Sequence, residues 1–355
     1  MAKPLHSITS LFSLAVLGCA PEVDVAAYYS HTDCSPLEIV DETTAWRLRG
    51  IEDIVLDKAR SRLYLSAYDR RSVESAARSR RNDIPTGGIY AIHLDQLTVE
   101  TEKPVMATAL VAGAAITGGV RPHGLDYDQQ ADEILFINRV YEKKGRQWKM
   151  SPKLQRVGAN GEAFVGTVPV IRCAANDVIA TENGVLTSFD HAFCDWRGWA
   201  ENIFALRWSG VTDGAVTHAT SGFANGVVRL PNGDIALAAT RENAVKILRR
   251  QGDGFLEIGR IDLPGAPDNL TYDGKRIIAA LHPSILRLTL NRKFGIGFAP
   301  SRIVSIDTAS GTHKTLFDDS NGELFSAATV AVGTDEGLIL GSVTDRGLLH
   351  CRKPA

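Results

Sequence analysis

The chain has 355 residues, 44% of them hydrophobic and 23% charged, and carries a formal net charge of −2. A chain of this length can bury roughly three quarters of its unfolded surface. Near-neutral charge argues against a nucleic-acid partner and against electrostatic adhesion to an anionic membrane surface.

In chain order, the first expected element is a leader. Lys3 precedes an apolar run from Leu11 to Gly18 that ends at Cys19, so residues 1–18 read as a lipoprotein-type signal peptide. A run this short cannot cross a hydrocarbon core about 30 Å thick. Val16-Leu17-Gly18-Cys19 resembles the lipobox of bacterial lipoprotein precursors, in which the cysteine becomes the lipidated first residue. Ala20 and Pro21 are unlike the aspartate that retains such proteins at the inner membrane. The expectation is an exported bacterial lipoprotein, in the outer membrane or periplasm, touching the membrane through a lipid on Cys19. Residues 19–40 then read as a tether and 41–355 as one folded domain.

From Asp41 onward, short apolar or β-branched runs alternate with turn signals. Arg62–Leu65, Glu133–Ile137, Asp234–Ala238, Arg276–Ala280 and Gly337–Leu340 each follow a hydrophilic turn, such as Asp57-Lys58-Ala59-Arg60 or Pro231-Asn232-Gly233, as hairpins require. Long amphipathic helical patterns are scarce, which predicts an all-β fold. Two basic insertions interrupt the rhythm. Residues 70–83 carry five arginines and suit a short helix or solvated loop, and 141–152 read as a solvated loop. At the mouth of a channel, either would favour an anionic substrate or product. The loop from Lys293 to Pro300 spaces Phe294, Ile296 and Phe298 with glycines, which suits a pocket wall or a membrane contact.

Six polar openings run through this pattern: Glu52-Asp53, His123, Asn176-Asp177, Asn225, Asp268-Asn269 and Thr329, separated by steps of 71, 53, 49, 43 and 61 residues. Repeats of roughly 40–50 residues with several strands each indicate propeller blades, here a six-bladed β-propeller with a polar central channel. The innermost strands of a propeller share one axis, so these openings should converge. Beyond Cys19 the chain holds Cys34, Cys173, Cys194 and Cys351, an even number that suits disulfides in an exported protein. Four cysteines allow three pairings. Cys34 with Cys351 would close the ring, and Cys173 with Cys194 would form a local bridge.

Converging oxygen ligands without cysteine select hard cations, and calcium accepts six to eight of them. Glu52, Asn176, Asn225, Asp268 and Asn269 supply two negative charges and three neutral carbonyls, enough to balance one divalent ion. Asp53 and Asp177, pointing the other way from their neighbours, would serve a second and deeper ion together with the carbonyl of Leu125. His123 is the candidate general base, because an unperturbed imidazole titrates near neutrality. Asp268 is the second candidate. No Gly-x-Ser-x-Gly or HExxH motif is present, so neither a serine nucleophile nor a zinc mechanism is indicated.

In order and spacing, GIEDI, PHGLDYD, NDV with SFDHAF, FANGV, PDNLTYD with ALHP, and TVAVG with LILGSVTDRGLLHC resemble the paraoxonase/arylesterase family over roughly residues 45–353. The resemblance implies a six-bladed propeller holding two calcium ions and hydrolysing small-molecule lactones and aryl esters, in some members organophosphates. It implies that Glu52, Asn176, Asn225, Asp268 and Asn269 hold the catalytic calcium, and that Asp53, Asp177 and Leu125 hold the structural one. It also implies that His123 shuttles protons, that His191 and His282 line the pocket, and that Cys34 pairs with Cys351. The gluconolactonase group and strictosidine synthase-like proteins share this architecture with fewer calcium ligands or none. A non-catalytic calcium-stabilised binding propeller on the cell surface is the rival from another class. One departure is specific to this chain: Arg139 stands where the family often has a second histidine, and a guanidinium is no base near neutral pH.

Overall fold

The computed structural model describes residues 26–98, 103–161, 164–168, 172–182, 184–252 and 254–354. The expected signal peptide and the lipidation site Cys19 lie outside the described residues. Strands dominate, as the alternating runs predict. After β1 (Cys34–Leu37) and β2 (Ile39–Asp41) come β3 (Arg49–Asp57), β4 (Arg62–Ala67), helix α1 (Arg70–Arg78), β5 (Gly88–His93), helix α2 (Asp95–Thr98) and β6 (Val105–Ala112). Next follow β7 (Pro122–Asp128), β8 (Glu133–Lys144), β9 (Gln147–Gly158) and β10 (Phe164–Val168), then β11 (Ala175–Thr181), β12 (Gly184–Phe189), helix α3 (Trp196–Ile203), β13 (Ser209–Thr212) and β14 (Thr217–Ser221). The remainder comprises β15 (Ala224–Arg229), β16 (Ile235–Ala239), β17 (Ala244–Gln251), β18 (Gly254–Asp262), β19 (Ala266–Tyr272), β20 (Ile277–His282), helix α4 (Ile285–Phe294), β21 (Ser301–Ile306), β22 (His313–Asp319), β23 (Ala328–Gly333), β24 (Gly337–Arg346) and β25 (Leu348–Arg352).

Strands β7–β10, β11–β14, β15–β18 and β19–β22 form separate four-stranded sheets. A nine-stranded sheet joins β3–β6 to β23–β25 and β1, because β24 pairs with β3 as well as with its own hairpin partners. Neighbouring first strands touch in sequence: β3 meets β7, then β11, β15, β19 and β23, and β23 returns to β3. These six strands form a closed cycle around one centre. The apolar core lies between successive sheets. For example, Ile277, Ala279 and Val304 pack on Ala236, Val245 and Ile261.

The expected tether over 19–40 needs correction in its described part. Tyr28 and Tyr29 donate backbone hydrogen bonds to the carbonyls of Thr315 and Leu316 at 3.2 and 2.8 Å. β1 pairs antiparallel with β25, and β2 runs parallel to β6. Short, irregular sequence hides these strands, because each is an outer strand whose partner lies far along the chain. Cys34 faces Cys351 across the β1–β25 ladder and is disulfide-bonded to it, and Cys173 is bonded to Cys194. The loop expected over 141–152 also needs correction. It forms the far end of the β8–β9 hairpin, in unbroken register from Glu133↔Gly158 to Lys144↔Gln147. Tyr141 and Trp148 on that hairpin pack against Val73 and Ala76 of α1, which makes the extension worth ordering.

Every first strand carries an irregularity at its polar opening. The register of β3 shifts between Ile51 and Asp53, of β7 between Pro122 and Leu125, and of β11 between Ala175 and Val178. β15 shifts between Ala224 and Val227, β19 between Pro267 and Leu270, and β23 between Ala328 and Val330. A bulge leaves residues outside the ladder and re-aims their side chains. Glycine completes the device in two strands, where neighbouring backbones approach too closely for a side chain. A Cβ on Gly124 would stand 2.3 Å from Oδ1 of Asp177, and one on Gly226 would stand 2.5 Å from Cα of Asn269. Gly226→Ala is therefore expected to destabilise the protein by about 1–3 kcal/mol through overpacking. Thermal melting would check this, and an unchanged Tm would show that the strands separate without cost.

Candidate functional site

The bulges place the polar openings at two depths. Glu52, His123, Asn176, Asn225, Asp268 and Thr329 all line one cavity of about 990 Å³, together with His191 and His282. Asp53, Leu125 and Asp177 instead line a second cavity of about 500 Å³, further along the same strands. Adjacent members of the Glu52-Asp53 and Asn176-Asp177 pairs therefore serve different ends of the centre. Asn269 is buried and lines neither cavity, and its amide donates to the carbonyl of Glu52 at 2.9 Å. Thr329 donates its hydroxyl to the same carbonyl at 2.8 Å, which makes it a brace for Glu52.

Hydrogen bonds link the first cavity's groups across sheets. Asn225 donates its amide to Oδ1 of Asp268, and Nε2 of His282 meets Oδ2 of the same carboxylate at 2.7 Å. Asn176 donates weakly to Asp190 at 3.4 Å, and Asp190 in turn holds Nδ1 of His191 at 2.6 Å. Nδ1 of His123 lies against the carboxylate of Glu52 and is also 2.8 Å from Nη2 of Arg70. Sequence reasoning did not single out Asp190, Arg70 or Arg292, which join this wall from the end of β12, from α1 and from α4. Only Asp190 had a signal, in the SFDHAF segment after β12.

These amide donors leave oxygens without partners. Oδ1 of Asn176, of Asn225 and of Asn269 are all buried and accept no hydrogen bond. Oε2 of Glu52 makes no well-formed hydrogen bond, although it lies against His123. Buried polar atoms ordinarily find partners, because each orphan costs about 1–3 kcal/mol. Such oxygens from separate sheets, beside the carboxylate of Asp268, are the donor set that a hard cation satisfies. Among the described residues no group of three or more His, Cys, Asp or Glu side chains is gathered to hold a metal ion. A cation in the first cavity would therefore draw on the amide oxygens as well as on the carboxylates.

Electrostatics divide the two depths. Burial opposes ionisation of Glu52, but the neighbouring imidazole, Arg70 and Arg139 outweigh it and bring its carboxyl down to about 2. His123 is pushed down to about 3, by burial first and then by the charge of Arg139. The imidazole is thus neutral, and the guanidinium groups sustain the charge on Glu52. A neutral imidazole is free to accept a proton, but one held this low is a weak base, which gives weight to Asp268 as the second candidate. Burial also opposes protonation of His191, yet its bond to Asp190 raises it. At the second depth, burial holds the carboxyls of Asp53 and Asp177 well above the usual range, and repulsion from Asp177 adds to this at Asp53. Each still accepts two backbone N–H bonds. Asp53 takes those of Leu125 and Ile54 at 2.8 and 2.9 Å, and Asp177 those of Val227 and Val178, both at 2.8 Å. Asp126, missed in the sequence, joins them in the second cavity, its carboxyl pushed up to about 6 by burial.

No family model matches the chain, and no curated protein matches it. Among solved structures, the chain is similar to a putative gluconolactonase at 15% identity, covering 89% of this chain and 91% of that one, with a TM-score of 0.46. It is similar to the periplasmic gluconolactonase of Pseudomonas aeruginosa at 10% identity, covering 88% of each chain, with a TM-score of 0.46. A luciferin-regenerating enzyme is similar at 10% identity over 85% of this chain and 91% of its own, with a TM-score of 0.49. Likenesses this distant leave the activity to be argued from the site itself.

Proposed function

We propose that this chain is a six-bladed β-propeller that hydrolyses lactones and aryl esters with the help of two calcium ions, in the manner of paraoxonases. The single observation that carries the reading is the set of unpartnered buried oxygens on Glu52, Asn176, Asn225 and Asn269 beside Asp268. These five residues would hold a catalytic calcium at the first depth, and Asp53, Asp177 and the Leu125 carbonyl a structural one at the second. The closed cycle of first strands supports the count of six blades. Two disulfides fit export, and we extend this to a lipoprotein anchored through Cys19.

Calcium bound at the first depth would polarise the substrate carbonyl and stabilise the oxyanion that develops on it. The chain's own residues do the rest. With its Nδ1–H donated to Glu52, His123 keeps Nε2, which is buried and has no hydrogen-bond partner among the described residues, as the acceptor for the proton of the attacking water. Asp268, buttressed by His282, is the alternative acceptor. His123→Gln is expected to lower kcat by about 10²–10⁴-fold while calcium affinity, measured by titration calorimetry, stays intact. If His282→Gln produces that loss and His123→Gln does not, the proton goes to the Asp268 side. Absence of hydrolysis of any lactone or aryl ester by calcium-replete protein would favour a binding propeller over an enzyme.

A further inference from the structure

Three arginines from separate elements meet at one wall of the first cavity: Arg70 at the start of α1, Arg139 in β8 and Arg292 near the end of α4. The two helices are fixed to each other there. Arg71 donates to the backbone and side-chain oxygens of Asn291 at 3.0 and 2.8 Å, and Arg292 reaches Glu74 of α1 at 3.2 Å. The three guanidinium groups are served unequally. Arg70 is 5% exposed, donates to the Tyr68 hydroxyl at 3.1 Å and meets His123 at 2.8 Å. Arg292 has its contact with Glu74, but its Nε is buried without a partner. Arg139 has no hydrogen bond or ion pair from its guanidinium among the described residues, and its Nε is likewise buried and unpartnered.

The charges do not balance. The carboxylates facing these three cations are Glu52, Glu74 and Asp190. On the proposed function, Glu52 is committed to the cation and Asp190 is held by His191, which leaves Glu74 as the one uncommitted carboxylate against three positive groups. Arg139 and Arg292 are half-buried, but like charges this close, each with a buried and unfilled Nε donor, are costly unless an anion completes them. A guanidinium presents a planar fork that matches a carboxylate in bidentate fashion. Beside this wall, Trp148, Ile285 and Leu288 supply apolar surface for the body of a ligand.

We propose that Arg139 and Arg292 form an anion-binding subsite, so that the preferred substrates are lactones or esters carrying a free carboxylate away from the scissile bond. This inference rests on the lactonase reading for the word substrate, but not for the binding of the anion. It also gives a use to the residue that stands where the family often has a histidine: Arg139 trades a titrating group for a permanent anchor.

Two measurements separate the claims. The first is calorimetric titration of glutarate, a simple dicarboxylate, into calcium-replete protein, which requires no turnover. Arg139→Gln and Arg292→Gln are each expected to weaken glutarate binding by about tenfold or more, the loss of a charge-assisted hydrogen bond. Arg139→Lys keeps the charge without the fork and should fall between. The second is kcat/KM for a γ-lactone bearing a side-chain carboxylate against its neutral methyl ester. The wild-type protein should prefer the acid, and Arg139→Gln should erase the preference through KM. Equal kcat/KM for the two lactones, or glutarate binding unaffected by either glutamine variant, overturns the subsite. Glutarate binding that depends on Arg139 without hydrolysis of either lactone keeps the subsite and defeats the lactonase reading.

Discussion

Asp268→Ala is expected to abolish lactone and aryl-ester turnover and to weaken calcium binding by roughly 100-fold or more. The carboxylate is the junction of the first cavity: it accepts from Asn225 and from His282 and is the charged partner of the unpaired amide oxygens around it. Truncating it removes one of two negative charges facing a divalent ion and leaves the amide of Asn225 and Nε2 of His282 without an acceptor. Breaking a buried charged partnership in this way costs about 3–5 kcal/mol, which is about two to four orders of magnitude in affinity. Calorimetry with calcium chloride and a spectrophotometric ester assay, each with and without chelator, would measure both effects. Turnover retained by Asp268→Ala, or unaffected by chelator, would remove the cation from the mechanism. Asp268→Asn keeps the shape and distinguishes lost charge from lost packing.

Replacing Cys34 and Cys351 by Ala is expected to cost more stability than Gly226→Ala or the loss of the Cys173–Cys194 bridge. The bond spans 317 residues and fastens β1 onto β25, so it joins the strands at the two ends of the described fold. The chain-entropy estimate for so long a loop is about 5–6 kcal/mol, an upper figure because native strain and residual unfolded structure reduce it. A protein of this size converts that into a fall in Tm of about 10 °C, read by calorimetric melting of oxidised protein against the double variant. The Cys173–Cys194 bridge closes only 21 residues, so a smaller fall in Tm should follow its removal. Equal effects from the two would show that joining the ends of the ring adds no stability beyond that of a local bridge.

The β-strands were legible because turn residues and apolar runs are local signals. Arg62–Leu65 lies within β4 and Gly337–Leu340 opens β24, and the hairpin chemistry that precedes each needs no knowledge of the rest of the chain. The outer strands were not legible. Cys34–Leu37 contains a proline and little periodicity, and it is a strand only because β25 offers it a partner. The basic stretch over 141–152 failed for a related reason. Its exposed residues look like loop, and its strand character comes from Tyr141 and Trp148 meeting α1. The convergence of the arginine wall was not legible: the basic stretch from Arg70 suggested an anionic ligand, but Arg70, Arg139 and Arg292 are far apart in the chain and only the fold brings them together.

By itself, the sequence determined the β character, the phase of six polar openings and the chemistry of their donors, because residue type and spacing are properties of the linear chain. Only the tertiary structure decided how those openings divide between two cavities and which cysteines are paired. It also decided how far burial and Arg139 depress His123. The physical reason is that a bulge, a disulfide and a desolvated charge are all defined by neighbours across strands. Such neighbours exist only once the first strand of the cycle has met the last.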